Sequence, residues 1–207
     1  MLLESEHYVI GYGSLLSHDS RSRFSGINCQ AIPVQLSGWR RAWSTRTLGE
    51  QQTCLSAKVE KGASFNAALV PIEQISPELA KREQDYEFIQ VDSSQLSLLE
   101  QGQHRLSYEQ LATKQVWICQ NKKNEAANAS YPICQSYVDT CLAGCLETGL
   151  GDFTLAFLRS TRGWEDAWIN DRAAPRYPRA AAITQRSVSL IDDILQQADL
   201  LQYREEG

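Results

Sequence analysis

The apolar residues of this chain change period along its length, and that change limits the fold more than any other feature. Tyr8-Val9-Ile10 reads as a short buried strand halted by Gly11. Residues 31–43 alternate loosely and carry Pro33 and Gly38, which predicts a long strand with a bend or bulge. Residues 55–60 alternate cleanly, and residues 65–72 follow the turn signal Lys61-Gly62-Ala63, so the two read as a hairpin. Alternation returns at 87–91 and 115–119, whereas 120–130 is polar and aperiodic, an exposed loop. Helical spacing governs 133–146, 153–158 and 188–201. Among the strands, Ser76-Pro77-Glu78 offers an N-cap with proline at the first helical position, predicting a helix over 77–85. Strands early and helices late favour an α+β fold over alternating βαβ units. The Trp- and Arg-rich stretch 161–180 has no period and reads as ordered but irregular. With no repeat and no linker, residues 1–207 read as one domain, a core over roughly 7–150 with 151–207 packed on it.

A net charge of −5 gives no positive field with which to hold a phosphate backbone, so nucleic acid is not an expected partner. The start lacks a signal-peptide pattern and no apolar run reaches the ~18 residues of a membrane span, so a cytoplasmic protein with no membrane partner is expected. The six cysteines read as reduced, buried thiols. None of His7, His18 and His104 stands at ligand spacing from them, so no metal is expected.

Two features could carry chemistry. On the helix over 77–85, the spacing of Ile75, Leu79, Glu83 and Tyr86 puts a carboxylate in the buried stripe. Burial disfavours its ionised form and can lift a glutamate from ~4.3 toward the range where it takes and returns a proton near neutral pH. The same residue could instead pair with Arg40 or Arg41, or face solvent at the helix end. The second feature is Gly11-Tyr12-Gly13-Ser14-Leu15-Leu16, where a strand ending in glycines can leave backbone N–H groups pointing into a hollow. A plain turn is the alternative. The spacing matches neither G-x-G-x-x-G nor G-x-S-x-G.

Taken together, "GYGSLL" after the first strand, "GWRRAW" about 25 residues on, then "AALVPI" and "LAKREQDY" resemble the γ-glutamylcyclotransferase-like proteins, motif by motif and in order over roughly residues 7–92. "WINDRAAPRYPRA" is similar to the tail of a bacterial branch of that family. The resemblance implies a small mixed β-barrel flanked by helices, with a helical carboxy-terminal extension. It implies that Tyr12, Gly13, Ser14, Leu15 and Leu16 bind the glutamyl end of a substrate and that Glu83 carries the proton. Tyr86 is added as a hydrogen-bond partner of that carboxyl or as a wall of the cavity. The chain departs from the common pattern at Leu15, where many members have asparagine, and at Gln84-Asp85, where many have glycine.

The chemistry implied is closure of a γ-glutamyl amine or peptide to 5-oxoproline by its own α-amine, with the amine on the other side released. The nucleophile is already attached, so orientation and proton movement suffice and no cofactor is required. A noncatalytic module on the same fold is the competing expectation, with Arg172, Arg176 and Arg179 reaching a small anion or a second subunit. A thiol enzyme using Cys29 or Cys54 is a third, and no histidine base is placed for it. A homodimer is left open.

Overall fold

The computed structural model describes residues 5–99 and 106–206; the first four residues and His104 lie outside these ranges. In chain order the elements are β1 (His7–Gly11), α1 (His18–Ser25), β2 (Ile32–Thr47), β3 (Gln52–Ile72), α2 (Pro77–Arg82), β4 (Tyr86–Val91), β5 (Leu96–Leu98) and α3 (Tyr108–Leu111). They continue with β6 (Gln115–Asn121), β7 (Ile133–Cys134), α4 (Gln135–Glu147), α5 (Phe153–Ser160), β8 (Thr161–Arg162), β9 (Trp168–Asn170), α6 (Gln185–Gln197) and β10 (Arg204–Glu206).

The main sheet runs β4-β6-β1-β3-β2-β5, with β8 added beside β2, and it curls without closing. β1 pairs antiparallel with β3 and parallel with β6, so its amino-terminal position in sequence becomes a central position in the sheet. That placement explains why Tyr8, Val9 and Ile10 are all buried. Helices α4 and α5 cover one side, adding Val138, Leu142 and Phe157 to a core built on Leu36, Leu55, Leu69 and Ile118. A small second sheet, β10-β9-β7, ties the end of the chain to the start of α4. The carboxy-terminal part is therefore helical with short strands woven through it.

The expected hairpin between 55–60 and 65–72 is absent, because both stretches belong to β3 and both pair with β2. Trp39 lies opposite Val59 and Ser37 opposite Ser64, so residues 60–63 form an outward bulge facing Gly38. Gly38 and Gly62 both take positive φ there, 81° and 82°, which lets the paired strands bend sharply together. The real hairpin turn falls between Thr47 and Gln52.

Candidate active site

β1 ends at Gly11, and the chain passes through Tyr12-Gly13 into one 3-10 turn, Ser14–Leu16, before α1 begins. Both glycines are needed for close approach. A Cβ at Gly11 would lie 3.1 Å from the Leu15 carbonyl carbon, and one at Gly13 would lie 2.6 Å from the Tyr137 hydroxyl. The Leu16 N–H donates to the Gly13 carbonyl (2.9 Å), while the N–H groups of Gly13, Ser14 and Leu15 have no acceptor among the described residues.

α2 starts as the sequence predicts, with Pro77 at its first position and the Ser76 hydroxyl accepting the Leu79 N–H at 3.2 Å. It ends sooner, at Arg82, with Glu83 as the capping residue. The Tyr86 N–H donates to the Glu83 carbonyl (2.9 Å), turning the chain directly into β4. Tyr86 therefore reaches the site from a strand end rather than from a further helical turn, and its hydroxyl donates to the Leu55 carbonyl at 2.8 Å.

These pieces meet around one small cavity of about 20 Å³, room for a single water. Tyr12, Gly13, Ser14, Leu15, Glu83 and Tyr86 all line it, joined by Leu55, Cys119 and Tyr137. Leu16 does not. It lines a wider, open hollow of about 590 Å³ on the other side of the loop, beside His18, Arg21 and Glu147. The charged groups there are already engaged: Arg21 donates to the carbonyls of Leu15, Leu16 and Cys29, and Glu147 accepts the His18 N–H.

The Glu83 side chain is 12 % exposed, with Arg82 Nε 3.3 Å from its Oε1. Burial raises its pKa above the ordinary carboxylate value, and the charges of Arg82 and Arg179 and the Cys119 thiol pull the other way. The arginine beside it is its chain neighbour, not Arg40 or Arg41. Arg40 pairs with Glu60 at 2.6 Å. Arg41 is fully buried in the core, lying over the Phe157 ring and donating to Thr161, Asn66, Phe157 and Ser160. Burial lowers its pKa to about 9, which still leaves it charged at neutral pH.

Arg82 does more than face Glu83. Its Nη2 donates to Ser14 Oγ (2.9 Å) and its Nη1 to the Ser20 carbonyl and Ser25 Oγ (3.1 Å each), so it fastens the loop and α1 to α2. Ser14 Oγ also accepts from the Tyr177 hydroxyl at 2.7 Å. Burial holds Tyr12, Tyr86 and Tyr137 well above the ordinary tyrosine value and brings Tyr177 to about 12. Their hydroxyls stay neutral and donate or accept hydrogen bonds, and burial holds the Cys119 thiol up as well, so among the described residues lining the cavity Glu83 is the carboxyl, with its pKa raised above the ordinary value.

Tyr137, Cys119 and Tyr177 escape a reading of the sequence. Tyr137 sits in the first turn of α4, whose capping residue Cys134 makes no side-chain bond to the helix N–H groups. The cap comes from Asp171, which accepts the Ser136 N–H (2.7 Å) and hydroxyl (2.6 Å). Cys119 lies on β6, its thiol against Glu83 and its carbonyl accepting from the Tyr12 hydroxyl. The one available signal was "PICQSY", which places a tyrosine just inside a helix start. Cys29 and Cys54 are buried and burial pushes both thiols up, the opposite of an activated nucleophile. Among the described residues no cluster of His, Cys, Asp and Glu could hold a metal, and no helix is long and apolar enough to cross a membrane.

No family model matches the chain, and no curated protein does. Solved structures do resemble it. A γ-glutamyl cyclotransferase superposes with a TM-score of 0.56 over 90 % of this chain and 98 % of its own, at 12 % identity. An uncharacterized protein from Homo sapiens gives 0.54 over 89 % of this chain and 97 % of its own, also at 12 % identity. YkqA from Bacillus subtilis gives 0.52 at 19 % identity over 73 % of this chain, which spans about half of that protein's length, 52 %. At these identities the likeness establishes the fold: a mixed curled sheet with flanking helices, of the γ-glutamyl cyclotransferase-like type.

Proposed function

Starting from a γ-glutamyl cyclotransferase-like fold, we propose that this chain cyclises a γ-glutamyl amine or peptide to 5-oxoproline, with Glu83 as general acid and base. The α-amine of the substrate attacks its own γ-carbonyl. Glu83 takes one proton from the ammonium and passes it to the leaving nitrogen as its C–N bond breaks, and the second proton that the attacking nitrogen sheds on becoming the lactam N–H goes to the freed amine, which leaves as an ammonium. Atoms balance without metal or redox chemistry. The unpaired N–H groups of Gly13, Ser14 and Leu15 are suited to hold the α-carboxylate or the developing oxyanion.

One observation carries the reading: a sheltered carboxyl of raised pKa shares a single small cavity with that glycine loop. A cavity of about 20 Å³ is too small for a γ-glutamyl group, so catalysis on this reading requires a wall to move when substrate enters. The experiment is product analysis by mass spectrometry over γ-glutamyl amines, dipeptides and glutathione-like peptides, with Glu83→Gln as the near-isosteric control. The wild type should release 5-oxoproline and the variant should lose at least about 10²-fold in rate. A variant with wild-type turnover removes Glu83 from the mechanism, and binding without product would make the protein a noncatalytic binding module.

A further inference from the structure

The segment after β9 returns to the site and brings a cation with it. Arg179 Nε donates to the Tyr177 hydroxyl at 3.3 Å, and its guanidinium lies 5.1 Å from the centre of that ring. The Tyr177 hydroxyl in turn donates to Ser14 Oγ, on the cavity wall, so the guanidinium stands one hydroxyl away from the glycine loop. Its charge also reaches Glu83 and opposes the effect of burial there. The remaining partner is Glu50, whose Oε1 is 3.0 Å from Arg179 Nη1, with side chains 23 % and 20 % exposed.

That ion pair is made through one nitrogen only. The second oxygen of Glu50 accepts from Gln52 Nε2 (2.7 Å), and Arg179 Nη2 has no partner among the described residues. Guanidinium binds carboxylate best with two parallel bonds, so this pair is weaker than the group allows. Glu50 sits in the turn between β2 and β3, close to the exposed Leu48.

We propose that Arg179 is the receptor for a carboxylate on the departing side of the substrate, and that Glu50 occupies it while the site is empty. This rests on the cyclotransferase reading and narrows it: the loop takes the glutamyl end, so the cation from the chain's tail selects γ-glutamyl amino acids and peptides over γ-glutamyl amines. Exchanging one carboxylate for another keeps Arg179 neutralised. A neutral amine leaves the Arg179–Glu50 pair in place and gains nothing from the guanidinium.

The test compares γ-glutamyl-L-alanine with γ-glutamylethylamide, which differ by that one carboxylate. Dissociation constants are measured by titration calorimetry in the Glu83→Gln background, where turnover does not interfere. The Glu83→Gln protein should bind the alanine compound at least about tenfold more tightly, the worth of one charge-assisted hydrogen bond. Adding Arg179→Gln should abolish that preference by weakening the alanine compound alone. Adding Glu50→Gln should tighten the alanine compound, which guards against an Arg179 variant that fails to fold. Equal affinities before Arg179 is changed, equal loss for both compounds on Arg179→Gln, no tightening in the Glu50→Gln variant, or no binding of either compound would each overturn the assignment. Formation of 5-oxoproline by the wild type is scored separately, so the cyclotransferase reading stands or falls on its own measurement.

Discussion

At the scale of single residues, the opposed effects on Glu83 give its titration a direction. Burial raises the carboxyl, while Arg82 and Arg179 lower it, and burial wins. A base works deprotonated, so activity should fall as pH drops through that raised pKa, with the acid limb of kcat/KM above the ~4.3 of a free glutamate. Arg179→Gln removes one of the opposing charges and should move the limb to higher pH. The profile is best taken with γ-glutamylethylamide, which has no second carboxylate. A limb at or below the free value, or one that moves down in the variant, contradicts the electrostatic account. The position of Glu83 was legible because its spacing from Leu79 set it on the buried side of α2, and Leu79 is indeed buried. Tyr137 and Tyr177 were not legible, since each reaches the loop across more than a hundred residues of chain and no local period records such a meeting.

At the scale of elements, the site depends on how α4 seats against the 3-10 turn. A Cβ at Gly144 would lie 2.3 Å from both the Leu16 carbonyl carbon and the Ser17 nitrogen, which are backbone atoms of a fixed turn. Gly144→Ala should gain about 1 kcal/mol of helix propensity but lose about 3 kcal/mol to overpacking, a net loss near 2 kcal/mol in urea denaturation. Because α4 also carries Tyr137 against Gly13, the same variant should lose activity under conditions where it is still folded. A variant as stable as the wild type would show that α4 has slack there. Helix starts were the legible part of these elements, as the Ser76-Pro77 signal illustrates. Strand pairing was less so: Lys61-Gly62-Ala63 has the composition of a turn, and only the length of β2, which serves both halves of β3, makes it a bulge. The 16 residues of β2 run past its expected end because Ser44, Thr45 and Thr47 are buried polar positions that break the apolar alternation.

At the scale of the molecule, the carboxy-terminal third is fastened by charge as well as by apolar packing. α6 buries Ile191 and Leu195 but leaves Leu190 exposed, a narrow apolar stripe for a 13-residue helix. Arg172, just past β9, supplies the rest. It donates from Nε and Nη2 to Asp139 on α4 (2.7 Å each) and from Nη1 to Asp192 on α6 (2.7 Å), while Arg204 reaches Asp192 (2.9 Å) and Gln135 (3.2 Å). Breaking a fully buried pair costs about 3–5 kcal/mol. Exposures of 20 % for Arg172, 5 % for Asp139 and 32 % for Asp192 reduce that through solvent screening, to about 2 kcal/mol for Arg172→Met. The loss should be local before it is global. Hydrogen exchange should quicken first in α6 and β10, with β1, β3 and β6 keeping their protection, because the sheet core makes none of these bonds. Tyr177 and Arg179 follow Arg172 on the same segment, so loosening it should also weaken the closure of the cavity, even though the Arg172 side chain bonds to Asp139 and Asp192 and not to the glycine loop. Uniform acceleration across sheet and helices would instead mean that the tail and the core open as one unit.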